Sequence, residues 1–576
     1  MTRSRDGRIL SVALLLLVFG PGVVTAQQNR RPPTERQTTY GVVVGTDNSA
    51  ASGTYAWKGI PFAKAPIADL RWKPPVDPAP WTSPKSTQQF GNACAQSGRL
   101  YGPGANNKYD ATIGTTLGKT LGSEDCLYLN IWRPASTAAM LPVIVFVHGG
   151  SNITGYTADP VYDGAALART ANAVIVTVNY RLGVLGFFNM GQLKTGDAQN
   201  DSGNFAILDI VKSLQFLKAN IASFGGDPAN VTLMGESAGA VNVYAVMTSP
   251  MVVAANPPLI HRVLPMSGGI SFANELPAGS IATLAPADSF RAQANALLNA
   301  LVVGDGRATD AATAAAWVAT QTSEQIAAYV RGKNADTILT TAVTKVGTGS
   351  GPVPDGTVVS ADPIAAIKAG NYRKVPMLVG NTRDEGKLFP TLLTVAGGSG
   401  SGRLLDDATV FSIVNKYDPN AAPQSTVEQW IPAPYLPAGT PVSGFDARSA
   451  RLTQVFFLNS RDSVLAAVQS QQKNIWYYRF DWDQEPAPFN VIYGAAHAFD
   501  LPFAFGNFGP SLYANIMNTT ANQAGRLALS DAMMRSIGAF ARTGDPNNAS
   551  LGVTWPGWPA TLVFSATQTT KTISVR

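Results

Sequence analysis

Histidine and cysteine are scarce in this sequence of 576 residues, which contains three histidines and two cysteines. The histidines His148, His261 and His497 are far apart along the chain. A structural zinc site takes four cysteine or histidine ligands, usually closely spaced in pairs, so no metal site is predicted. Nothing resembles a phosphate-cradling or dinucleotide-binding loop, and we therefore expect no cofactor. A reaction that needs an imidazole has only three candidates.

Charged residues are also few, at 14% of the chain, compared with about 25% in an average soluble protein. The formal net charge is +6, but the longest run of basic residues is Arg30-Arg31. Binding to nucleic acid needs basic residues concentrated on one face, so no nucleic-acid partner is expected. No stretch reaches the roughly 18 uninterrupted apolar residues of a transmembrane helix, which argues against stable membrane insertion.

The N-terminus has the pattern of a secretory signal peptide. Three arginines in the first eight residues precede the apolar stretch Ile9 to Phe19, and Val24-Thr25-Ala26 has the small residues of a cleavage site. We predict that residues 1–26 are a signal peptide removed near Ala26. The mature protein would then be secreted, either to the extracellular space or to a periplasm. An uncleaved membrane anchor is the alternative.

The two cysteines of an exported chain most simply form a disulfide. Cys94 and Cys126 are 32 residues apart, and the loop between them is rich in glycine, asparagine and serine. The alternative is a pair of free buried thiols.

Short apolar runs alternate with helix-like stretches, which predicts a mostly parallel sheet with helices on both faces. The predicted strands are Val143 to Val147, Val174 to Val178, Val231 to Met234, Met377 to Val379 and Ile475 to Tyr478. The predicted helices are Ala206 to Ser223, Ala238 to Met247, Pro286 to Val303, Asp310 to Tyr329 and Ala528 to Arg542. No linker clearly separates domains, so residues 27–576 are predicted to be a single domain.

A Gly-x-Ser-x-Gly pattern occurs once, as Gly235-Glu236-Ser237-Ala238-Gly239. A predicted strand runs into this pattern and a predicted helix runs out of it, so Ser237 would lie on a sharp strand-to-helix turn. Its hydroxyl would then be open to a base on one side and close to the positive end of the helix on the other. Ser237 is therefore a candidate nucleophile, and an ordinary turn serine is the alternative.

A second glycine-containing turn, His148-Gly149-Gly150-Ser151, follows the strand predicted at Val143 to Val147. It resembles the oxyanion-hole turn of esterases, in which glycines leave backbone amides unobstructed. The amides of Gly150 and Ser151, together with that of Ala238, could stabilise a negatively charged oxygen.

Of the three histidines, His497 is the preferred general base. His148 belongs to the glycine turn, where a structural role is expected, and His261 precedes an apolar run as a boundary residue. His497 lies among small residues late in the chain, which fits the order nucleophile, acid, histidine. An acid is expected between Ser237 and His497, after a strand. Asp384 and Glu385 are adjacent there, and their spacing does not choose between them.

Taken together, the chain resembles the type-B carboxylesterase/lipase family, the cholinesterase-like α/β-hydrolases. Besides the serine pattern, the resemblance rests on Lys58-Gly59-Ile60-Pro61-Phe62-Ala63, Arg71-Trp72-Lys73-Pro74-Pro75, Ser123-Glu124-Asp125-Cys126-Leu127-Tyr128-Leu129-Asn130, Asn179-Tyr180-Arg181-Leu182-Gly183 and Phe224-Gly225-Gly226-Asp227-Pro228. It implies an α/β-hydrolase fold, with a large, mostly parallel central sheet flanked by helices.

The resemblance also implies roles for particular residues. Ser237 would be the nucleophile, Glu385 the acid and His497 the base, while Glu236 and Asp500 would support them through hydrogen bonds. Cys94 and Cys126 match the first disulfide of the family. Ser151 departs from the pattern, because many members have a third glycine at that position.

The expected function is hydrolysis of small-molecule or polymeric carboxylic esters through an acyl-enzyme formed on Ser237. One alternative is an adhesion or binding protein that keeps the fold without catalysis. Another is hydrolysis of amides or lactones by the same three side chains. The oligomeric state is left open.

Overall fold

An eleven-stranded sheet forms the centre of the protein. The computed structural model describes residues 32–347, 350–389, 405–431, 433 and 444–576. In chain order the strands of this sheet are β1 (Thr46–Asn48), β2 (Thr54–Pro61), β3 (Tyr128–Pro134), β4 (Leu141–Val147), β5 (Val174–Val178), β6 (Gly226–Glu236), β7 (Arg262–Met266), β8 (Met377–Thr382), β9 (Ile475–Phe480), β10 (Thr561–Ala566) and β11 (Lys571–Val575).

The strands lie side by side in the order β11-β10-β9-β8-β7-β6-β4-β5-β3-β2-β1. All neighbours from β10 to β5 are parallel, whereas β11 at one edge and β3, β2 and β1 at the other are antiparallel. This arrangement confirms the predicted mostly parallel sheet. Two smaller sheets are formed by Glu35–Thr38, Gly41–Val44 and Lys85–Ser86, and by Gln96–Ser97 and Thr120–Leu121.

Helices flank the sheet. Within the described ranges, those of seven or more residues are α1 (Ala165–Ala171), α2 (Phe205–Asn220), α3 (Ala238–Thr248), α4 (Ala287–Gly304), α5 (Ala311–Ala319), α6 (Ser323–Arg331), α7 (Ala335–Thr341), α8 (Asp407–Val414), α9 (Gly444–Leu452), α10 (Asn459–Gln469) and α11 (Gln523–Thr543). Shorter helices are Ser49–Ser52, Ile113–Thr116, Gly183–Gly186, Pro250–Val253, Pro363–Lys368, Val427–Trp430, Phe489–Ile492, Leu501–Phe505 and Ala514–Met517, and π-helical turns extend α7 (Ala342–Val346) and join α9 to α10 (Thr453–Leu458).

One predicted helix is wrong in its extent. The stretch Asp310 to Tyr329 forms two helices, α5 and α6, because Thr322 begins a new helix between them. The Thr322 hydroxyl accepts a hydrogen bond from the Gln325 amide, and the Gln325 side chain accepts one from the Thr322 amide. Such a capping box favours a helix start over the continuation of the preceding helix.

The apolar residues of β4 alternate between the two faces of the sheet. Val143, Val145 and Val147 pack in one hydrophobic cluster with α2 and α3, whereas Ile144 and Phe146 pack in another cluster with α11. A strand covered on both faces is apolar at every position, which explains the continuous run in the sequence.

Parallel strands all end at the same edge of the sheet, and the predicted site residues follow several of these ends. His148 to Ser151 come after β4, Ser237 after β6 and Glu385 after β8, while His497 lies in the connection after β9. The topology therefore places distant parts of the sequence at one edge, as expected for open α/β sheets.

The predicted signal peptide, residues 1–26, and the first residues of the predicted domain lie outside the described residues. Residues Pro33 to Arg576 form one compact unit. Over the described part of the chain, every helix is too short or too polar to span a bilayer.

Candidate active site

Ser237 lies on a tight turn between β6 and α3. Its φ of 59° and ψ of −124° are unusual for a residue with a side chain. Glycines make the turn possible, because a Cβ atom on Gly235 would lie 2.4 Å from the Gly239 carbonyl oxygen and one on Gly239 would lie 2.1 Å from that of Val147. The strained turn presents the Ser237 side chain at the edge of the sheet.

His497 and Glu385 are in direct contact. His497 Nδ1 lies 2.5 Å from Glu385 Oε2, and both side chains are buried. The other carboxylate oxygen of Glu385 accepts hydrogen bonds from Asn381 Nδ2 at 3.0 Å and from the Thr382 amide at 2.9 Å. Burial disfavours the charged form of Glu385, but the charge and hydrogen bond of His497 lower the pKa of this carboxyl below its usual value. Glu385 is therefore suited to hold the imidazole in one orientation.

Asp384, the neighbouring carboxylate, points elsewhere. Its Oδ2 accepts a hydrogen bond from Arg383 Nη2 at 2.7 Å and another from the Ala495 amide at 3.1 Å. Asp384 thus fixes the loop that carries His497 rather than touching the imidazole.

Glu236 approaches the opposite side of the His497 ring. Glu236 Oε1 lies 3.0 Å from His497 Nε2, and neither atom has a hydrogen-bond partner among the described residues. Burial raises the pKa of Glu236 to about 8. For His497, burial acts to lower the pKa, but the carboxylates of Glu236 and Glu385 outweigh it and raise the pKa to about 8.

Ser237 and His497 both line one cavity, but no hydrogen bond joins them in the described structure. Hydrogen bonds between a nucleophile and its base are often long or poorly aligned without substrate and tighten when substrate binds.

Asp500 is buried near this cluster, where Tyr478 Oη donates a hydrogen bond to its Oδ2 at 2.9 Å. Burial, together with the charge of Glu385, raises the pKa of Asp500 to about 7. Asp500 makes no direct hydrogen bond to His497 or Glu385 among the described contacts, but its charge contributes to raising the pKa of His497.

The glycine turn leaves backbone donors free. Gly150 has a φ of 95° and Ser151 a φ of 55°. Within the described residues, the amides of Gly150, Ser151 and Ala238 donate no hydrogen bond to protein. Gly150 and Ser151 lie in the turn after β4 and line the same cavity as Ser237, while Ala238 directly follows Ser237 at the start of α3. Free amides at such a position can donate hydrogen bonds to an oxygen on which negative charge develops.

The other two histidines have structural surroundings. His148 is buried, stacks on Tyr180 with ring centroids 4.6 Å apart, and its Nδ1 lies 2.9 Å from the Gly149 carbonyl oxygen. Burial lowers its pKa to about 4. His261 lies before β7, where its Nδ1 accepts a hydrogen bond from the Val231 amide at 3.2 Å. That contact is near the beginning of the β6–β7 ladder, whereas Ser237 follows its end.

The predicted disulfide between Cys94 and Cys126 is present. Its loop carries Gln96, a residue that sequence patterns did not single out. Gln96 Oε1 accepts hydrogen bonds from Thr154 Oγ1 at 2.8 Å and from the Gly155 amide at 2.9 Å. The Thr154 amide in turn donates a hydrogen bond to the Gly150 carbonyl oxygen at 3.1 Å. Gln96 therefore supports the glycine turn from the disulfide loop, 58 residues before Thr154 in sequence.

Asn152 and Asn242 were also not predicted. They exchange side-chain hydrogen bonds and connect the glycine turn to α3, with Asn242 Nδ2 lying 2.8 Å from Asn152 Oδ1. Asparagine is common in turns, and its sequence position gives no sign of such a long-range pair.

The cavity has a volume of about 300 Å³. Its wall is mostly apolar or aromatic, with Leu100, Tyr101, Ile153, Tyr162, Leu388, Phe389, Leu405, Val410, Trp430, Ile492, Tyr493, Ala498, Leu501 and Tyr513. Charged or ionisable residues in the wall are Arg99, Glu236, Lys387, Asp407 and His497. In the parts of the chain that the structure covers, no group of three or more histidine, cysteine or carboxylate side chains could hold a metal ion.

A mostly parallel sheet that carries a serine turn, an imidazole and a carboxylate at one edge is the architecture of the α/β-hydrolases. Solved structures agree with this class. The chain superposes on the Geobacillus stearothermophilus carboxylesterase at pH 6.8 with a TM-score of 0.67 and 28% identity, covering 94% of this chain and 97% of that one.

The chain belongs to the carboxylesterase family, whose model matches residues 32–573. It is 29% identical to the para-nitrobenzyl esterase of Bacillus subtilis over 530 residues, which cover 90% of this chain and 92% of the relative. It is also 30% identical to the human cocaine esterase over 580 residues, covering 97% of this chain and 90% of that protein. The protein is therefore a carboxylic-ester hydrolase.

Proposed function

We propose that this hydrolase is a secreted esterase that acts through a Ser237-His497-Glu385 triad and an acyl-enzyme. The observation that carries the proposal is the contact between His497 and the buried Glu385, with His497 and Ser237 both lining one cavity. Glu385 orients the ring by accepting a hydrogen bond at Nδ1. The other ring nitrogen, Nε2, is then the atom that takes the proton of Ser237.

The reaction proceeds in two halves. The Ser237 oxygen attacks the ester carbonyl carbon while its proton passes to His497, and the amides of Gly150, Ser151 and Ala238 stabilise the oxyanion. The bond to the alcohol oxygen breaks, and His497 gives its proton to the departing alcohol. Water then attacks the acyl-enzyme with His497 again as the base, which releases the acid and regenerates Ser237.

The decisive experiment labels the nucleophile. An organophosphate reagent should add one phosphoryl group to the wild-type enzyme, and peptide mass spectrometry should locate it on Ser237. Ser237→Ala should lose both labelling and ester hydrolysis, while Ser289→Ala, a change at an exposed serine of α4, should retain both. Labelling at another residue, or activity retained by Ser237→Ala, would contradict the proposed nucleophile.

Export is the second part of the proposal. The signal-like N-terminus and a disulfide, which persists in oxidising compartments, support it. Protein recovered from outside the cytoplasm of its native host should begin at Gln27. Full-length chain retained in the cytoplasm, still starting at Met1, would contradict export.

A further inference from the structure

Some of the charged side chains that line the cavity already have hydrogen-bond or ion-pair partners within the protein. Lys387 is 8% exposed and committed to two partners, because its Nζ lies 2.9 Å from Asp446 Oδ1 and 3.0 Å from the Val491 carbonyl oxygen. Asp407 lies in the first turn of α8 and accepts a hydrogen bond from the Leu100 amide at 3.4 Å. Both charges therefore have structural roles.

Arg99 is different. It lies in the disulfide loop, is partly buried and lines the cavity. Its guanidinium makes no hydrogen bond or ion pair with any described residue, and no described carboxylate lies within ion-pair distance of it. Among the described residues, its one polar contact is made by its backbone carbonyl, which accepts a hydrogen bond from the Gly102 amide.

Two buried arginines near the same loop are paired, unlike Arg99. Arg71 donates from Nε to Glu124 Oε1 at 2.6 Å, and Arg181 donates from Nη2 to Asp209 Oδ1 at 2.7 Å. A guanidinium has five N–H donors, and withdrawing it from water without acceptors is unfavourable. Arg99 lines the cavity and its donors have no partner among the described residues, so they are available to a ligand.

We propose that Arg99 selects esters that carry a carboxylate remote from the scissile carbonyl. The planar guanidinium can bind a carboxylate through two parallel hydrogen bonds, whereas the apolar wall holds the carbon chain between the two groups. This proposal rests on the proposed function, because it requires Ser237 to attack an ester bound in this cavity. The expected substrates are monoesters of dicarboxylic acids, or esters whose alcohol carries an acid group.

The test compares matched acidic and neutral esters. For the acyl side, p-nitrophenyl hydrogen adipate is compared with p-nitrophenyl heptanoate, and for the alcohol side, p-carboxyphenyl heptanoate with p-carbamoylphenyl heptanoate. The readout is the ratio of kcat/KM for the acidic ester to that for its neutral partner. In at least one pair, Arg99→Gln should lower this ratio about tenfold or more, because a hydrogen bond to a charged group usually contributes at least that much to binding.

Two further variants separate charge from general damage. Arg99→Lys keeps a positive charge but loses the planar group that makes two parallel hydrogen bonds. It should therefore retain more of the preference for the acidic ester than Arg99→Gln. Arg291→Gln changes an exposed arginine of α4 outside the cavity wall, and it should leave the ratio unchanged. The wild-type ratio should also fall with added salt, since screening weakens a solvent-accessible ion pair.

The outcomes separate the two proposals. In one outcome, wild type cleaves the neutral esters, Ser237→Ala does not, and Arg99→Gln leaves both ratios unchanged. Arg99 then has no role in selecting the substrate, and the proposed triad is not contradicted. If Ser237→Ala still cleaves the neutral esters, the proposed function itself fails. A ratio that falls in the acyl pair alone assigns the carboxylate to the acid half of the substrate, and one that falls in the alcohol pair alone assigns it to the alcohol half.

Discussion

At the scale of single residues, His497 is held between two carboxyl groups of different character. Glu385 is hydrogen-bonded to Nδ1 and its pKa is held below the usual value, whereas Glu236 faces Nε2 and its pKa is raised by burial. The charges of both carboxylates raise the pKa of His497.

The pH dependence follows from this arrangement. A general base must be neutral, and the pKa of His497 is raised to about 8, so kcat/KM should rise as the pH increases through about 8. In Glu236→Gln one carboxylate that stabilises the protonated ring is lost, so the rise should move to lower pH. Glu324→Gln, on the exposed side of α6, should leave the profile unchanged. A Glu236→Gln profile that is unchanged or moved to higher pH would contradict the assigned contact.

Substitution of the two adjacent carboxylates tests which of them serves His497. Glu385→Gln keeps the shape but removes the charge behind the imidazole, and kcat should fall by about 10⁴-fold, as when the acid of a triad is made an amide. Asp384→Asn weakens the contacts with Arg383 and the Ala495 amide, so its main effect should be on stability, with a far smaller loss of kcat. Equal losses of kcat in the two variants would refute the assignment of Glu385.

The choice between Asp384 and Glu385 could not be made from sequence patterns. Adjacent Asp384 and Glu385 could not be distinguished by their spacing, and the resemblance to a family favoured Glu385. In the structure the two carboxylates point in different directions from one turn, and only Glu385 meets His497. Side-chain direction after a strand end depends on the local backbone, which a pattern of residue types does not specify.

At the scale of elements, the disulfide loop forms part of the cavity wall. Arg99, Leu100 and Tyr101 lie between Cys94 and Cys126, and all three line the cavity. Gln96 in the same loop supports the glycine turn. We therefore expect order in this loop to affect both binding in the cavity and the position of the free amides.

Removing the disulfide should weaken both stability and binding. The double variant Cys94→Ser with Cys126→Ser should be less stable by about 3 to 4 kcal/mol, the chain-entropy estimate for a loop of this length. It should also have a higher KM, because the loop that holds three residues of the wall is less restrained. Urea unfolding and ester kinetics measure the two effects. A reducing agent should reproduce them in the wild type and have no effect on the double variant; an unchanged KM would show that the loop stays ordered without its crosslink.

Some helix boundaries could be predicted from the sequence and others could not. The long periodic segment predicted at Pro286 to Val303 corresponds closely to α4, since one apolar face packs in the core. The division between α5 and α6 was missed, although Thr322 and Gln325 form a recognisable capping box. Alanine-rich sequence favoured one continuous helix, and the local hydrogen bonds at Thr322 outweighed that preference.

At the scale of the whole molecule, a buried ion pair connects the loop after β5 to α2. Asp209 is fully buried and accepts hydrogen bonds from Arg181 Nε at 2.8 Å and Nη2 at 2.7 Å, and from the Arg181 amide at 3.0 Å. Burial raises the pKa of Asp209, although the charge and hydrogen bonds of Arg181 act in the opposite direction.

Breaking this pair should be costly. Asp209→Asn leaves the buried Arg181 guanidinium without its counter-charge, and the free energy of unfolding should fall by about 3 to 5 kcal/mol. Asp288→Asn, which disrupts the exposed pair with Arg291, should cost less than about 1 kcal/mol. Denaturant unfolding of both variants measures the difference. Similar losses in the two variants would mean that the buried pair does not hold α2 in place.

The sequence by itself determined the layered α/β fold, the serine turn and the candidates for its partners. These depend on local rules: apolar runs long enough to be buried strands, glycines where a side chain would clash, and an order of motifs along the chain. Only the tertiary structure decided which carboxylate meets His497, that Glu236 occupies its other side, and that Arg99 lines the cavity without a partner among the described residues. Those contacts join residues far apart in sequence, and their distances are set by how strands, turns and the crosslinked loop pack together.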